Sequence, residues 1–170
     1  MDFKSLIRDV PDFPKKGIVF KDITPLLKTP NAFQGVIQHL ADRYKGHKLN
    51  AIVAMESRGF IFGAALATHM GVSFIPVRKP GKLPWKTFQE TYELEYGKDT
   101  LEIHQDAVSK GDRVLVLDDV LATGGTAAAT IRLVERAGGE VIEACFLMHL
   151  TFLNGQQKLK STPFYSIIQY

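Results

Sequence analysis

Short apolar runs alternate with helix-like segments along this chain, and this alternation restricts its possible folds more than any other feature. The runs are rich in branched side chains, as buried strands are. They lie at residues 51–55, 72–77, 113–117 and 141–148, with a further candidate at 164–168. Strands that alternate with helices usually build a parallel sheet covered by helices. The sequence therefore predicts an α/β fold.

Glycine, proline and hydroxyl residues mark the predicted helix ends. Thr29 can cap free amides and Pro30 suits the first helical position, so a helix is predicted from there to Gly46. Its apolar face is predicted to contain Phe33, Ile37, Leu40 and Tyr44. Two more helices are predicted, one over residues 57–71 and one from residue 126 that ends at Gly138.

Two segments interrupt the alternation. Residues 78–104 begin with a basic, proline-containing stretch and continue as two alternating runs around a Gly-Lys pair, which predicts a mobile loop on a two-stranded hairpin. Residues 11–27 are broken by prolines and show no periodicity, which predicts a small irregular flap. Pro76 indicates that the end of the second strand is not fully paired.

Composition limits the possible classes of protein. A chain of 170 residues with 45% hydrophobic content suits one domain, 1–170. The only cysteine, Cys145, lies in an apolar run and is expected to be a buried thiol. The first ten residues carry four charges, so we expect neither a secretory signal nor a membrane anchor. We therefore expect a cytoplasmic protein. A net charge of +3 favours small anionic ligands over nucleic acid or membrane. The five histidines show no metal-ligand spacing, so no structural metal is expected.

The stretch "VLVLDDVLATGGT" joins a predicted strand to a predicted helix through a glycine loop. In open α/β sheets, ligands bind beyond the carboxyl ends of strands, where helix N-termini present free amides to phosphates. The loop suits a phosphate monoester because glycines allow close approach and hydroxyls can donate. Its residues are Ala122, Thr123, Gly124, Gly125 and Thr126. The lysine of an ATP-binding P-loop is absent.

Asp118 and Asp119 are predicted to end the same strand, at about the distance that separates the phosphate of a ribose 5-phosphate from its ring hydroxyls. Carboxylates accept hydrogen bonds from such hydroxyls. They would also offset the positive charge that develops on a ribose during displacement at C1. The alternative is a solvated strand end followed by an ordinary glycine turn.

This stretch resembles the phosphoribosyl pyrophosphate (PRPP) signature of the type I phosphoribosyltransferases. "FPKKGIVFKDITPLL", "ESRGF", "RKPGKLP" and "LEYGKDTLEIH" follow the order found in members of that family that use adenine. The resemblance covers most of residues 11–147 and implies the type I phosphoribosyltransferase fold. It also implies purine salvage, in which adenine and PRPP give AMP and pyrophosphate, with Mg²⁺ carried by PRPP rather than held directly by the protein. A homodimer is implied as well.

The resemblance also implies roles for individual residues. Pyrophosphate is expected to contact Ser57, Arg58, Gly59, Arg78 and Lys82. The peptide bond between Glu56 and Ser57 is expected to be cis. Lys79 either helps to hold pyrophosphate or is a solvated basic residue.

The base is expected to contact two further segments. In "TYELEYG", Glu93 and Glu95 share one face, and only the resemblance selects Glu95, which would exchange a proton with N7 of the purine. In the flap, the main chains of Val19 and Lys21 would recognise the 6-amino group and N1 of adenine, and Phe20 would stack on the ring. Lys21 stands where relatives often have arginine, a change that a main-chain contact tolerates.

Two other functions remain open. The chain could transfer phosphoribosyl to another base, such as xanthine or orotate. It could also be a regulator that senses PRPP without catalysis, although such proteins usually have a DNA-binding helical domain ahead of the sensor. About 50 residues, mostly flap, precede the first predicted core strand. The presence of Glu95 and of the basic loop favours the enzyme.

Overall fold

The computed structural model describes residues 1–93 and 97–170, so Glu95 lies outside the described residues. The chain divides into two compact units, Met1–Lys45 and Gly46–Tyr170. Each unit is built around its own sheet or hairpin. The organisation as one domain, with a flap at 11–27 and a mobile loop within 78–104, stays a prediction.

The first unit contains a hairpin followed by two helices. After a 3₁₀ turn at Lys4–Leu6, the strands β1 (Arg8–Pro11) and β2 (Val19–Asp22) pair antiparallel, and α1 (Thr24–Lys28) and α2 (Pro30–Tyr44) follow. The prediction of an irregular flap was therefore wrong for residues 19–22 and 24–27, which are regular. Elements of four or five residues are too short to show a periodic pattern in the sequence.

Helix α2 begins at Pro30 as predicted, but Thr29 does not cap it with its side chain. The Thr29 hydroxyl instead donates to the carbonyl of Pro25 at 3.0 Å. The reason is that α1 ends immediately before Thr29 and offers a carbonyl four residues back, which competes with the cap. Ile37, Leu40 and Tyr44 are buried as predicted, whereas Phe33 is only half-buried.

The second unit contains the remaining elements. In chain order they are β3 (Ala51–Met55), α3 (Arg58–Met70), β4 (Ser73–Val77), β5 (Thr87–Glu93), β6 (Lys98–His104), β7 (Arg113–Leu121), α4 (Gly125–Ala137), β8 (Glu140–His149), two 3₁₀ turns (Thr151–Leu153 and Gly155–Leu159) and β9 (Phe164–Gln169). Five strands form one sheet in the order β4-β3-β7-β8-β9, and every neighbouring pair is parallel. The predicted parallel α/β sheet is confirmed, including its fifth strand.

The sheet forms the core of this unit. All five side chains of β3 are buried, which explains why that strand is a continuous apolar run rather than an alternating one. Helix α3 packs close to β3 because Gly63 has no side chain: a Cβ there would lie 2.7 Å from the Cβ of Ala54. Helix α4 ends as predicted at Gly138, which has a left-handed conformation. Burial of each large apolar side chain contributes about 1.5–3 kcal/mol.

Strand β7 is longer than predicted. The core run was predicted over residues 113–117 with Asp118 and Asp119 at the end of the strand, but β7 continues beyond both acids to Leu121. Along β7, pairing with β3 stops at Leu117, whereas pairing with β8 continues to Leu121, which lies opposite His149. Asp118 and Asp119 therefore lie in a part of β7 that projects beyond its neighbour β3.

The predicted hairpin is confirmed in the described residues. Strands β5 and β6 pair antiparallel, and Arg78 forms a bridge with Glu102 of β6 that joins the basic segment to the hairpin. Strand β4, which contains Pro76, lies at the edge of the sheet. The structure describes no helix that is both long and apolar enough to cross a membrane.

Candidate active site

Residues 122–126 lie between β7 and α4, as predicted. Helix α4 begins at Gly125, and its N-cap is Gly124, which has a left-handed φ of 78° and makes no side-chain cap. The amides of the first helical turn are thus not blocked by a capping side chain. Free amides at a helix N-terminus, together with the helix dipole, favour an anion.

Gly155, in the segment between β8 and β9, packs directly against this loop. A Cβ on Gly124 would overlap the carbonyl oxygen of Gly155, and a Cβ on Gly155 would overlap the carbonyl oxygen of Ala122. Only two glycines allow the two main chains to lie this close. Sequence reasoning missed Gly155: the pair Asn-Gly at 154–155 indicates a turn but does not say what the turn contacts.

Asp118 and Asp119 are adjacent acids in the projecting end of β7. Asp119 is 2% exposed. Asp118 as a whole keeps some exposure, but burial of its carboxyl raises the pKa well above the ordinary value, and the charge of Asp119 raises it further. Burial also raises the pKa of Asp119, although Arg58 opposes this effect. Burial therefore destabilises the ionised form of both carboxyls, and a positive charge or hydroxyl donors nearby would stabilise it.

The start of α3 lies against these acids. Nε of Arg58 is 3.0 Å from Oδ2 of Asp119, and a Cβ on Gly59 would lie 2.8 Å from Oδ1 of Asp118. The contact is an ion pair and not a hydrogen bond, since the buried Oδ2 of Asp119 accepts no hydrogen bond from the described residues. The structure thus brings together two predicted sets, the acids of β7 and the residues that begin α3.

The "ESRG" segment connects β3 to α3. Ser57 is the N-cap of α3 and makes no side-chain cap, so this helix also begins with uncapped amides. The peptide bond between Glu56 and Ser57 is cis, as predicted. Because β3 and β7 are parallel neighbours, the starts of α3 and α4 lie at the same edge of the sheet.

Glu56 binds three residues of the basic loop, residues 78–82, which follows β4. Its carboxylate accepts hydrogen bonds from Nε of Arg78 at 3.1 Å, from the amide of Lys79 at 2.8 Å and from Nζ of Lys82 at 2.6 Å. Burial alone would raise the pKa of Glu56, but the bonds from Lys82 and from the Lys79 amide outweigh it and lower the pKa. The structure therefore holds Arg78 and Lys82 on the side chain of Glu56, the residue that precedes Ser57. The anchoring role of Glu56 was not predicted.

Lys79 is paired with an acid. Its ammonium forms an ion pair with Asp99 of β6. Neither alternative from the sequence included this contact, because Asp99 lies 20 residues further along the chain.

The predicted base-binding residues belong to the first unit. Val19 is 48% exposed, the ring of Phe20 meets that of Phe13 edge to face at 5.2 Å, and Nζ of Lys21 donates to Asp9 at 2.7 Å. Among the described residues β2 pairs only with β1, so its other edge has no strand partner there. Glu93 ends β5, and Glu95, the acid that the resemblance selects, lies outside the described residues.

Comparison with known proteins identifies this arrangement. Residues 22–169 match the model of the phosphoribosyl transferase domain family. The adenine phosphoribosyltransferase of Roseiflexus sp. (strain RS-1) is 60% identical, over 97% of this chain and 96% of that protein.

Solved structures give the same result. The crystal structure of adenine phosphoribosyltransferase from Thermoanaerobacter pseudethanolicus is 55% identical with a TM-score of 0.97, and the match covers 99% of this chain and 98% of that one. The enzyme from Saccharomyces cerevisiae, solved in complex with adenine and an imino-altritol bisphosphate, is 43% identical with a TM-score of 0.92, over 97% and 96% of the two chains. The predicted type I fold is confirmed. The chain belongs to the phosphoribosyltransferase family, within its adenine phosphoribosyltransferase branch.

Proposed function

We propose that this protein is a purine-salvage enzyme that transfers the phosphoribosyl group from PRPP to adenine, giving AMP and pyrophosphate. The observation that carries the proposal is the contact between the buried acids of β7 and the start of α3. It supports a site that combines candidate ribose and pyrophosphate ligands with the uncapped N-terminus of α4, which follows β7. Membership of the adenine phosphoribosyltransferase branch supports adenine as the base.

In the proposed site, the 5′-phosphate binds the amides and hydroxyls of residues 122–126, and Asp118 and Asp119 hold the ribose hydroxyls. The raised pKa of each acid supports this assignment. Two hydroxyl donors and a ribose that becomes cation-like would both stabilise carboxylates that burial destabilises. The acids would therefore stabilise the cation-like ribose of the transition state more than the neutral ribose of bound PRPP.

The leaving pyrophosphate is proposed to bind Ser57, Arg58 and Gly59 through the start of α3, and Arg78 and Lys82 from the basic loop. Glu56 supports this proposal because it binds both cations of the loop and directly precedes Ser57 in the chain. Two cations share one carboxylate, so the cluster keeps a net positive charge for an anionic group. A bidentate guanidinium suits phosphate oxygens.

We propose that PRPP enters with Mg²⁺, which offsets the negative charge of the departing pyrophosphate. The fit rests on the donor chemistry of the site: Asp118 and Asp119 supply buried carboxylate oxygens, and Oδ2 of Asp119 accepts no hydrogen bond from the described residues. Such oxygens are suitable partners for the shell of a hard cation.

The base is proposed to bind the flap. The main chains of Val19 and Lys21 would pair with the 6-amino group and N1 of adenine, and Phe20 would stack on the ring. The pairing of Nζ of Lys21 with Asp9 supports a main-chain role for that residue. Glu95 is proposed to exchange a proton with N7 as the bond between N9 and C1 of ribose forms.

We further propose one domain of residues 1–170, a homodimer and a cytoplasmic location. The dimer follows from the resemblance to the family. The buried single cysteine, Cys145, allows no intramolecular disulfide, which is usual in a reducing compartment.

The test is an assay of the purified protein with PRPP, Mg²⁺ and one base at a time. Adenine, hypoxanthine, guanine, xanthine and orotate would be compared by absorbance. Conversion of adenine alone supports the proposal. Conversion of a different base assigns another transferase of the family, and PRPP binding without turnover assigns a sensor.

A further inference from the structure

Tyr92 connects three segments of the second unit that sequence reasoning treated separately. It lies in β5, and its hydroxyl is 3.2 Å from Oγ1 of Thr126 in the phosphate loop and 3.2 Å from Oδ2 of Asp99 in β6. Asp99 in turn pairs with Lys79 of the basic loop. The Tyr92 ring lies against the first turn of α4, where a Cβ on Gly125 would come within 2.9 Å of it. At 7% exposure, Tyr92 is a buried connection rather than a surface contact.

The chemistry of the groups fixes the direction of these hydrogen bonds. Asp99, paired with an ammonium, is a carboxylate and can only accept. Tyr92 has one hydroxyl proton, so it donates that proton to Asp99 and must accept from Thr126. The Thr126 hydroxyl also has one proton, which is committed to Tyr92 in this arrangement.

A phosphate at the N-terminus of α4 would require the same proton. A phosphate dianion has acceptors and no donors, so the Thr126 hydroxyl can reach it only by turning away from Tyr92. We propose that Tyr92 is a positioning residue that competes with the 5′-phosphate for the Thr126 proton, so that phosphate binding breaks the hydrogen bond from α4 to Tyr92 of the β5–β6 hairpin. The contacts of Arg132 with Glu90 and of Arg136 with the Gln89 carbonyl remain, so the hairpin is loosened at Tyr92 and not detached. The proposal rests on the 5′-phosphate site of the proposed function.

Linkage gives the proposal a distinctive signature. If phosphate binding breaks the bond between Thr126 and Tyr92, then loss of that bond must favour phosphate binding by the same factor. The variant Tyr92→Phe keeps the buried ring and removes only the hydroxyl. Its affinity for ribose 5-phosphate should rise about two- to tenfold, the usual worth of one neutral hydrogen bond. A purely structural role would weaken binding or leave it unchanged.

The hairpin provides a matched control. Thr91, the neighbour of Tyr92, is exposed and shares a hydrogen bond of 2.9 Å with Thr100 across the hairpin. The variant Thr91→Val removes a hydroxyl from the same strand without touching residues 122–126. It should bind ribose 5-phosphate like the wild type.

The experiment is calorimetric titration of the full chain with ribose 5-phosphate, combined with amide hydrogen exchange of residues 87–93 and 98–104. In the wild type, ligand should speed exchange in the hairpin. In Tyr92→Phe, exchange without ligand should already match that of the ligand-bound wild type and should not change on binding. In Thr91→Val, the response to ligand should persist.

Two results would overturn the proposal: affinity of Tyr92→Phe equal to or below that of the wild type, or hairpin exchange in the wild type that ligand does not accelerate. The wild-type measurement needs no variant and stands even if Tyr92→Phe folds poorly. Failure of the wild type to bind ribose 5-phosphate would remove the phosphate site of the proposed function and this coupling together. Normal binding without coupling would remove only the coupling.

Discussion

Nε of Arg58 lies 3.0 Å from Oδ2 of Asp119, so the first residue of α3 forms an ion pair with a buried acid of β7. The pair connects the segment proposed to hold pyrophosphate with the acids proposed to hold ribose. The reacting C1 of PRPP lies between those two groups of the substrate. A single contact therefore joins the two protein segments that are proposed to bind the substrate on either side of this carbon.

Loss of the Asp119 charge should weaken PRPP binding without changing which base is used. In Asp119→Asn, a charged hydrogen bond to the ribose is replaced by a neutral one, which is expected to raise the KM for PRPP and lower kcat/KM about 10- to 100-fold. Steady-state kinetics with adenine measures this effect. A shift of base preference in the variant would show that Asp119 acts on the base instead.

The raised pKa of Asp118 makes stability depend on pH. The folded-state pKa lies above the unfolded value, so the ionised carboxyl destabilises the fold at neutral pH, and this cost falls as pH drops through the raised pKa. Asp118→Asn should therefore have a higher Tm than the wild type at pH 7.5 without ligand. The difference should shrink on acidification toward pH 5. Melting curves test it, and a constant or growing difference would contradict the prediction.

Glu56 should position the basic loop. In Glu56→Gln, Arg78 and Lys82 lose their shared carboxylate, so the KM for PRPP should rise about tenfold. A matched control is Glu140→Gln, which alters an exposed ion pair with Arg113 at 3.7 Å, and its kinetics should not change. Equal effects in both variants would mean that net charge, and not position, controls PRPP binding.

Gly155 should be required for phosphate binding although it lies 29 residues beyond Thr126 in the sequence. In Gly155→Ala, the new methyl group would push on the carbonyl of Ala122, which should raise the Kd for ribose 5-phosphate at least about tenfold. Gln157→Ala, an exposed change in the same segment, is the control. Calorimetry that gives the same Kd for both variants would show that the loop tolerates the displacement.

Glu95 should be needed for turnover and not for PRPP binding. Glu95→Gln keeps the size of the side chain but cannot exchange a proton, so kcat should fall at least about 100-fold while the Kd for PRPP stays near that of the wild type. Glu93→Gln is the matched comparison, since both acids were candidates in the sequence. A large loss of kcat in Glu93→Gln alone would move the assignment to Glu93.

Local patterns explain which parts of the fold were predictable. The five strands and the helix ending at Gly138 follow from apolar runs and a glycine stop, which are properties of adjacent residues. The end of β7 was missed because the acids Asp118 and Asp119 interrupt the apolar pattern while pairing with β8 continues. The failed cap at Thr29 has the same origin, since a short helix that the sequence does not show supplies a competing carbonyl.

The candidate site divides in the same way. The loop at 122–126 and the residues of "ESRG" are contiguous, so their sequence alone indicates their position at the sheet edge. Glu56, Tyr92 and Gly155 each contact at least one residue that is 22 or more positions away in the chain. Such contacts exist only after folding, and no local pattern predicts them.

The most direct test of the account is a crystal structure of the protein with AMP. We predict the phosphate of AMP on the amides of residues 122–126, the ribose hydroxyls on Asp118 and Asp119, and adenine on the main chains of Val19 and Lys21. Phosphate bound elsewhere, with the acids of β7 free of the ribose, would show that residues 118–126 do not form the ribose 5-phosphate site.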